Sequence, residues 1–189
     1  MPRMKIYRTF FTPQPEEIIA ACAAGHSVCV PPNMLDFATG DVASFAGYPT
    51  GNHHQLVKAS EARLAAQQGA RLIIAVPSII SGTMAGTSND AHESLMAEIV
   101  LLREAVPYPT TLAIVVDTQA LDDAQALALA TVAKNSGADA ICTGVTESRP
   151  HAHPVLASVL PIIAIGQSPT CAQDAMIWLN TNTNPAERS

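Results

Sequence analysis

Gly47-Tyr48-Pro49-Thr50-Gly51-Asn52-His53-His54-Gln55-Leu56-Val57-Lys58-Ala59-Ser60-Glu61-Ala62 is the stretch whose reading decides the fold. Just before it, Val42 to Gly47 forms a short apolar run of strand length. From His54 the chain reads as a helix to Gln68, with Gly69 as its stop. A glycine just past the last helical residue suits the left-handed position that ends many helices. Pro49 and Gly51 are turn punctuation between the two elements. The unit is strand, turn, helix.

The same alternation extends in both directions. Strand candidates are Ile6 to Phe11, Ser27 to Val30, Val42 to Gly47, Leu72 to Val76, Leu112 to Val116, Ala140 to Thr143 and Ile162 to Ile165. They are apolar nearly throughout instead of alternating, which is how strands buried on both faces of a parallel sheet read. Helix signals run from Pro15 to Gly25, from Asn89 or Asp90 to Ala105, from Asp122 and Asp123 to Gly137, and from Thr170 to about Asn180. Pro150 and Pro154 interrupt the helix expected over 147–160. Repeated strand, helix, strand gives βαβ units. An eight-fold barrel and an open doubly wound sheet both fit this pattern, and the pattern alone does not choose. One domain is expected over 1–181, with a polar tail at 182–189 that frays.

Composition narrows the function. With 48% hydrophobic and 14% charged residues in 189, a large core is available and disorder is disfavoured. The net charge of −6, the lack of a basic stripe and 4% aromatics argue against nucleic acid and against an anionic membrane surface as partners. Neither G-x-G-x-x-G nor G-x-x-x-x-G-K-[ST] occurs. The start, Met1-Pro2-Arg3-Met4-Lys5, leads into no long apolar run, so a cytoplasmic location is expected. Cys22, Cys29, Cys142 and Cys171 form no C-x-x-C pair and read as reduced, mostly buried thiols.

Gly47-Tyr48-Pro49-Thr50-Gly51, six residues, Lys58-Ala59-Ser60-Glu61-Ala62 and then Gly69-Ala70 together resemble the deoxyribose-phosphate aldolase family. That family has G-F-P-x-G after its third strand and K-x-x-E-A in the next helix. Ser27 to Pro32, Lys5 to Pro13, Leu112 to Thr118 and Gly137-Ala138-Asp139 before Ala140 to Thr143 resemble its second, first, fifth and sixth strands with their turns. The likeness covers roughly 5–175. It implies a TIM-type (β/α) barrel. Because only a polar tail follows the helix at Thr170 to Asn180, that barrel is expected to be shortened, with seven main parallel strands and the last βα unit missing. Open edges would then invite a homo-oligomer, with Trp178 turned to another surface.

The departures from the family bear on chemistry. The family's Schiff-base lysine falls on Cys142, its acid after G-A-D-E-I on Ile74, and its first-strand aspartate on Tyr7. The seventh strand, Ile162 to Gly166, has no lysine in any register, and the whole chain has only Lys5, Lys58 and Lys134. A Schiff-base aldolase needs an amine made nucleophilic by burial or a second cation. A thiol cannot form the iminium. The expectation is a divergent family member without Schiff-base activity, binding a small metabolite or serving as a regulatory or paired subunit. The other reading is an active lyase of different mechanism, using Cys142, Asp117 and loop histidines.

Individual residues carry these alternatives. Cys142 is either a packed thiol or a nucleophile or metal ligand at the mouth. Asp117, at a strand end, is a catalytic candidate or a loop cap. Cys29, Tyr48, Thr143, Gly166 and Ser168 are the candidate substrate-binding positions. His53, His54, His151 and His153 fall on loops of the C-terminal face and are the candidate metal ligands; those loops lie three strands apart, and exposed loop histidines are common. No cofactor is expected. Lys58 is expected to be a solvated helix lysine, paired at most with Glu61. Lys5 is expected on the face opposite the chemistry.

Overall fold

The computed structural model describes residues 4–78, 89–117, 121–144, 153–167 and 175–181. Its strands are β1 (Lys5–Thr9), β2 (Ser27–Val30), β3 (Val42–Ala46), β4 (Leu72–Ala75), β5 (Thr111–Val116), β6 (Ala140–Thr143), β7 (Ile162–Gly166) and β8 (Ile177–Asn180). Each pairs in parallel with the next, and β8 returns to β1, so the sheet closes as an eight-stranded barrel. Around it lie α1 (Pro15–Ala23), α2 (Gln55–Gln67), α3 (Asn89–Ala105), α4 (Asp123–Asn135) and the short α5 (His153–Ala157), with a 3-10 turn at Pro32–Phe37. Among the described residues, no helix is long and apolar enough to cross a membrane.

Strands β2 to β7 are buried on both faces, which is why their sequences are apolar nearly throughout, whereas β1 (Lys5–Thr9) leaves Lys5 and Ile6 exposed. Alternate residues divide between two cores. Tyr7, Cys29, Ala43, Phe45, Leu72, Ile74, Ala113, Val115, Ala140, Cys142, Ile163, Ile165, Ile177 and Leu179 fill the barrel interior. Their neighbours, such as Ile73, Ile114 and Ile141, pack outward against the helices. The helices meet the sheet through small side chains, Ala59, Ala62 and Ala65 on α2 and Ala126, Ala130 and Ala133 on α4, which let the layers approach closely. α4 opens with reciprocal bonds between Asp122 and Gln125, a capping box.

Three expectations are corrected. The barrel is not shortened to seven strands, because Ile177–Asn180 forms an eighth. The helix expected from Thr170 to Asn180 is therefore absent over its described part, 175–180, and its first residues, 170–174, lie outside the described residues. Met176-Ile177-Trp178-Leu179 cannot all bury from one helical face, but a strand of a closed barrel has two buried faces. Ile177 and Leu179 point into the barrel, and Trp178 packs outward on Ala164. Trp178 is only 8% exposed, and its indole N–H donates to the Gly166 carbonyl at 3.1 Å. It is sealed within its own chain instead of seeking a partner. Residues 182–189, read as a fraying tail, lie outside the described residues.

Candidate functional site at the mouth of the barrel

The two ends of the barrel differ in chemistry. At the N-terminal end, Tyr7 donates to Asp41 Oδ1 at 3.0 Å, Ser27 donates to Asp41 Oδ2 at 3.0 Å, and Lys5 pairs with the same carboxylate. Burial pushes Asp41 up, but the bonds from Lys5 and Tyr7 outweigh it and leave the carboxyl below its ordinary range. Burial also raises the Tyr7 phenol to about 12. This network ties β1, β2 and the entry to β3 together, on the face where conservation of shape serves stability. Lys5 lies at this N-terminal end, at the start of β1.

At the C-terminal end, the Gly47–Gly51 turn is held from both sides by α2. The Gly47 N–H donates to Glu61 Oε2 at 2.7 Å, and Lys58 Nζ donates to the Gly51 carbonyl at 2.7 Å. Gly51 N–H closes the turn on the Gly47 carbonyl at 2.8 Å. Both glycines are required by space and by conformation. A Cβ on Gly47 would lie 2.4 Å from Lys58 Cδ, one on Gly51 2.2 Å from the Pro77 carbonyl oxygen, and φ is +74° and +71°. The spacing from Gly47-x-x-x-Gly51 to Lys58-x-x-Glu61 is thus a mechanical clasp between a turn and the next helix.

Lys58 is not a solvated lysine. It is wholly buried, and its ammonium also donates to the Val76 carbonyl at 3.3 Å and to Ser78 Oγ at 2.9 Å. Its counter-ion is Glu98 of α3, which is 3% exposed and whose Oε2 accepts from Ser78 N–H at 3.1 Å. Glu61 is not its partner, being engaged with Gly47. Sequence reading missed this pair, yet a signal existed. Lys58 stands at i, i+4, i+7 with Ala62 and Ala65, and Glu98 shares a stripe with Leu95 and Leu102, so each charge sits on an apolar face. Charges in such positions need each other.

Beside the clasp is a hollow of about 220 Å³, lined by Phe11, Pro31, Pro32, Phe45, Tyr48 and Glu61. Phe11 follows β1, the prolines follow β2, and Tyr48 follows β3. The three rings pack together, with centroids 5.1 Å apart for Phe11 and Tyr48, 4.7 Å for Phe45 and Tyr48, and 5.9 Å for Phe11 and Phe45. Burial raises the Tyr48 phenol above its ordinary value, with the Cys29 and Cys142 thiols adding to the shift.

The remaining candidates are dispersed. Cys29 and Cys142 are both fully buried in the barrel interior. Burial pushes Cys142 up to about 12 and Cys29 well above its ordinary range, which leaves little thiolate at neutral pH. Thr143 is buried one position beyond inward-facing Cys142 and donates to the Ile163 carbonyl at 3.4 Å, so it turns toward the helix layer. The Gly166 carbonyl accepts from Trp178 and from Thr181 N–H. Asp117 follows β5, half-buried, two residues past inward-facing Val115. His53 and His54 are exposed, and His54 Nδ1 caps α2 by accepting from Leu56 N–H at 3.2 Å. Among the described residues, no group of three or more His, Cys, Asp or Glu is placed to hold a metal ion. Ser168 and His151 lie outside the described residues, as does the side chain of His153.

The closed parallel sheet and the mouth built by turns after its strands define a TIM-type (β/α) barrel. A solved deoxyribose phosphate aldolase from Aeropyrum pernix, itself tetrameric, superposes with a TM-score of 0.78 at 19% identity, over 94% of this chain and 86% of that one. No protein-family model matches the chain. A deoxyribose-phosphate aldolase of Corynebacterium jeikeium is 36% identical over 129 residues, 62% of this chain and 50% of that protein. One from Haloquadratum walsbyi is 32% identical over 160 residues, covering 77% of this chain and 69% of that protein. The chain belongs to the deoxyribose-phosphate aldolase family. It spans about half the length of several curated relatives that it matches.

Proposed function

We propose that this chain binds a small molecule at the mouth of its barrel and runs no Schiff-base aldolase chemistry. One observation carries the reading. Among the described residues, the side chains that fill the barrel interior are mostly apolar, the polar groups among them being two thiols, the Tyr7 phenol and the Thr9 hydroxyl, and the one buried ammonium, Lys58, is consumed by Glu98, Ser78 and two carbonyls. An attacking amine needs a free lone pair and an open path to the carbonyl carbon. Lys58 has no open side, and its head is fixed outside the barrel core.

Cys142 in this reading is packing. A thiol with its pKa near 12 does not compete as a nucleophile at neutral pH. Asp117 and Tyr48 remain the polar groups best placed to orient a ligand, one at the end of β5 and one at the end of β3. The protein would work in the cytoplasm as a homo-oligomer, on its own or as the non-catalytic partner of an active subunit. Support for assembly comes from the tetrameric Aeropyrum relative and from exposed Leu56, Val57, Leu64, Met96 and Val100 on the adjoining helices α2 and α3.

The test is cleavage of deoxyribose 5-phosphate followed by coupled detection of the released aldehyde. The purified chain should give the rate of buffer alone. Turnover that rises with protein concentration and survives repurification would defeat the reading.

A further inference from the structure

The hollow beside the clasp has walls that favour one charge of ligand. Six described residues line it: Phe11, Pro31, Pro32 and Tyr48 from the turns after three successive strands, Phe45 from β3, and Glu61, the one carboxylate among them, from α2. Glu61 is held in place, because its Oε2 takes the Gly47 N–H at 2.7 Å. Its Oε1 has no hydrogen-bond partner among the described residues. The nearest ammonium in sequence, Lys58, is three residues earlier and is turned to Gly51, Ser78 and Glu98 instead. The carboxylate is therefore not neutralised by its neighbour. The other lining residues are Phe11, Phe45 and Tyr48, three rings packed on one another whose π-systems carry negative potential on their faces, and Pro31 and Pro32, which offer apolar contact only.

We propose that this hollow binds a small organic cation, an alkylammonium or quaternary ammonium of about choline's size. Aromatic faces attract such a cation through their quadrupoles, and a carboxylate adds full charge. An anionic ligand would meet the Glu61 charge with no cationic side chain among the described lining residues to answer it. The proposal rests on the reading that the mouth binds a small molecule, and it names the chemistry of that molecule.

Calorimetric titration of the full chain with choline and with 3,3-dimethyl-1-butanol, its neutral isostere, tests it. Choline should bind about tenfold more tightly. Glu61→Gln keeps an acceptor for the Gly47 N–H and removes the charge, so the preference should shrink to about threefold or less. Tyr48→Leu, at a half-buried position, should weaken choline by about tenfold while hardly moving the alcohol. Equal binding of the two probes, or a preference unchanged by both variants, would overturn the cation assignment and leave the small-molecule reading standing. No heat with either probe at tens of millimolar would overturn the assignment as well. A lysine adduct after borohydride reduction would instead defeat the non-Schiff-base reading, whatever the titrations gave.

Discussion

Lys58→Met separates a structural ammonium from an exposed one. Methionine keeps an unbranched stem of similar length, so the packing beneath Gly47 is largely retained. What goes is the ion pair to Glu98 and the bonds to Gly51, Val76 and Ser78. Glu98 is then a carboxylate at 3% exposure with one remaining donor, Ser78 N–H. Removing one member of a buried pair costs about 3–5 kcal/mol, because the other is left uncompensated. Domains of this size hold roughly 5–15 kcal/mol in total, so about a fifth or more is at stake. At about 2–4 °C per kcal/mol the midpoint should fall by roughly 6–20 °C. Urea and thermal unfolding followed by circular dichroism measure it. Lys58→Met with Glu98→Gln removes both charges and keeps an acceptor for Ser78, so the double variant should be more stable than Lys58→Met alone. A single-variant loss under about 1 kcal/mol, the value of an exposed pair, would refute the clasp. So would a double variant in which the two losses simply add.

The thiols, the glycines and the assembly give further predictions. Cys29 and Cys142 should resist iodoacetamide at pH 8 in the folded protein and react only after denaturation; rapid native alkylation of Cys142 would contradict its burial. The raised Cys142 value adds stability that is whole below pH 9 and declines as pH climbs toward about 12, since the unfolded thiol ionises first; Cys142→Ala should therefore lose less stability between pH 9 and 12 than the parent chain does, on top of a pH-independent cavity cost. Gly51→Ala should cost at least about 2 kcal/mol, because it faces both a left-handed backbone and the Pro77 carbonyl, whereas Gly25→Ala, at φ +81° with nothing within 4 Å, should cost about 1 kcal/mol; equal losses in denaturant titrations would dismiss the close approach. Light scattering at micromolar concentration should give a multiple of the monomer mass, and a charged residue at Leu64 should lower it. A monomer under all conditions would remove the α2–α3 face as an interface.

Much of this barrel was legible because parallel strands buried on both faces leave short apolar runs. Leu72 to Ala75 and Ile162 to Gly166 could hardly be anything else. The eighth strand escaped because Met176 to Leu179 is too short for its period to show, and a polar segment follows it. Only closure against β1 and β7 supplies the two faces that this run needs. The site was legible in part. The Gly47 to Glu61 motif marked the turn and helix that form the clasp, but its lysine read as solvent-facing because its partner, Glu98, is forty residues away in sequence. The aromatic hollow was invisible for the same reason: Phe11, Phe45 and Tyr48 meet only when β1 and β3 flank β2 in a closed sheet.

The central claim is that no lysine of this chain presents an amine to a carbonyl at the barrel mouth. Incubation with deoxyribose 5-phosphate or acetaldehyde, reduction with borohydride and intact-mass spectrometry followed by peptide mapping test it directly. The account predicts the unmodified mass, with any trace of reductive alkylation confined to exposed amines and unchanged when Lys58 is replaced. A stoichiometric reduced adduct on Lys58 would contradict it, showing that the buried ammonium leaves Glu98 and reaches the substrate.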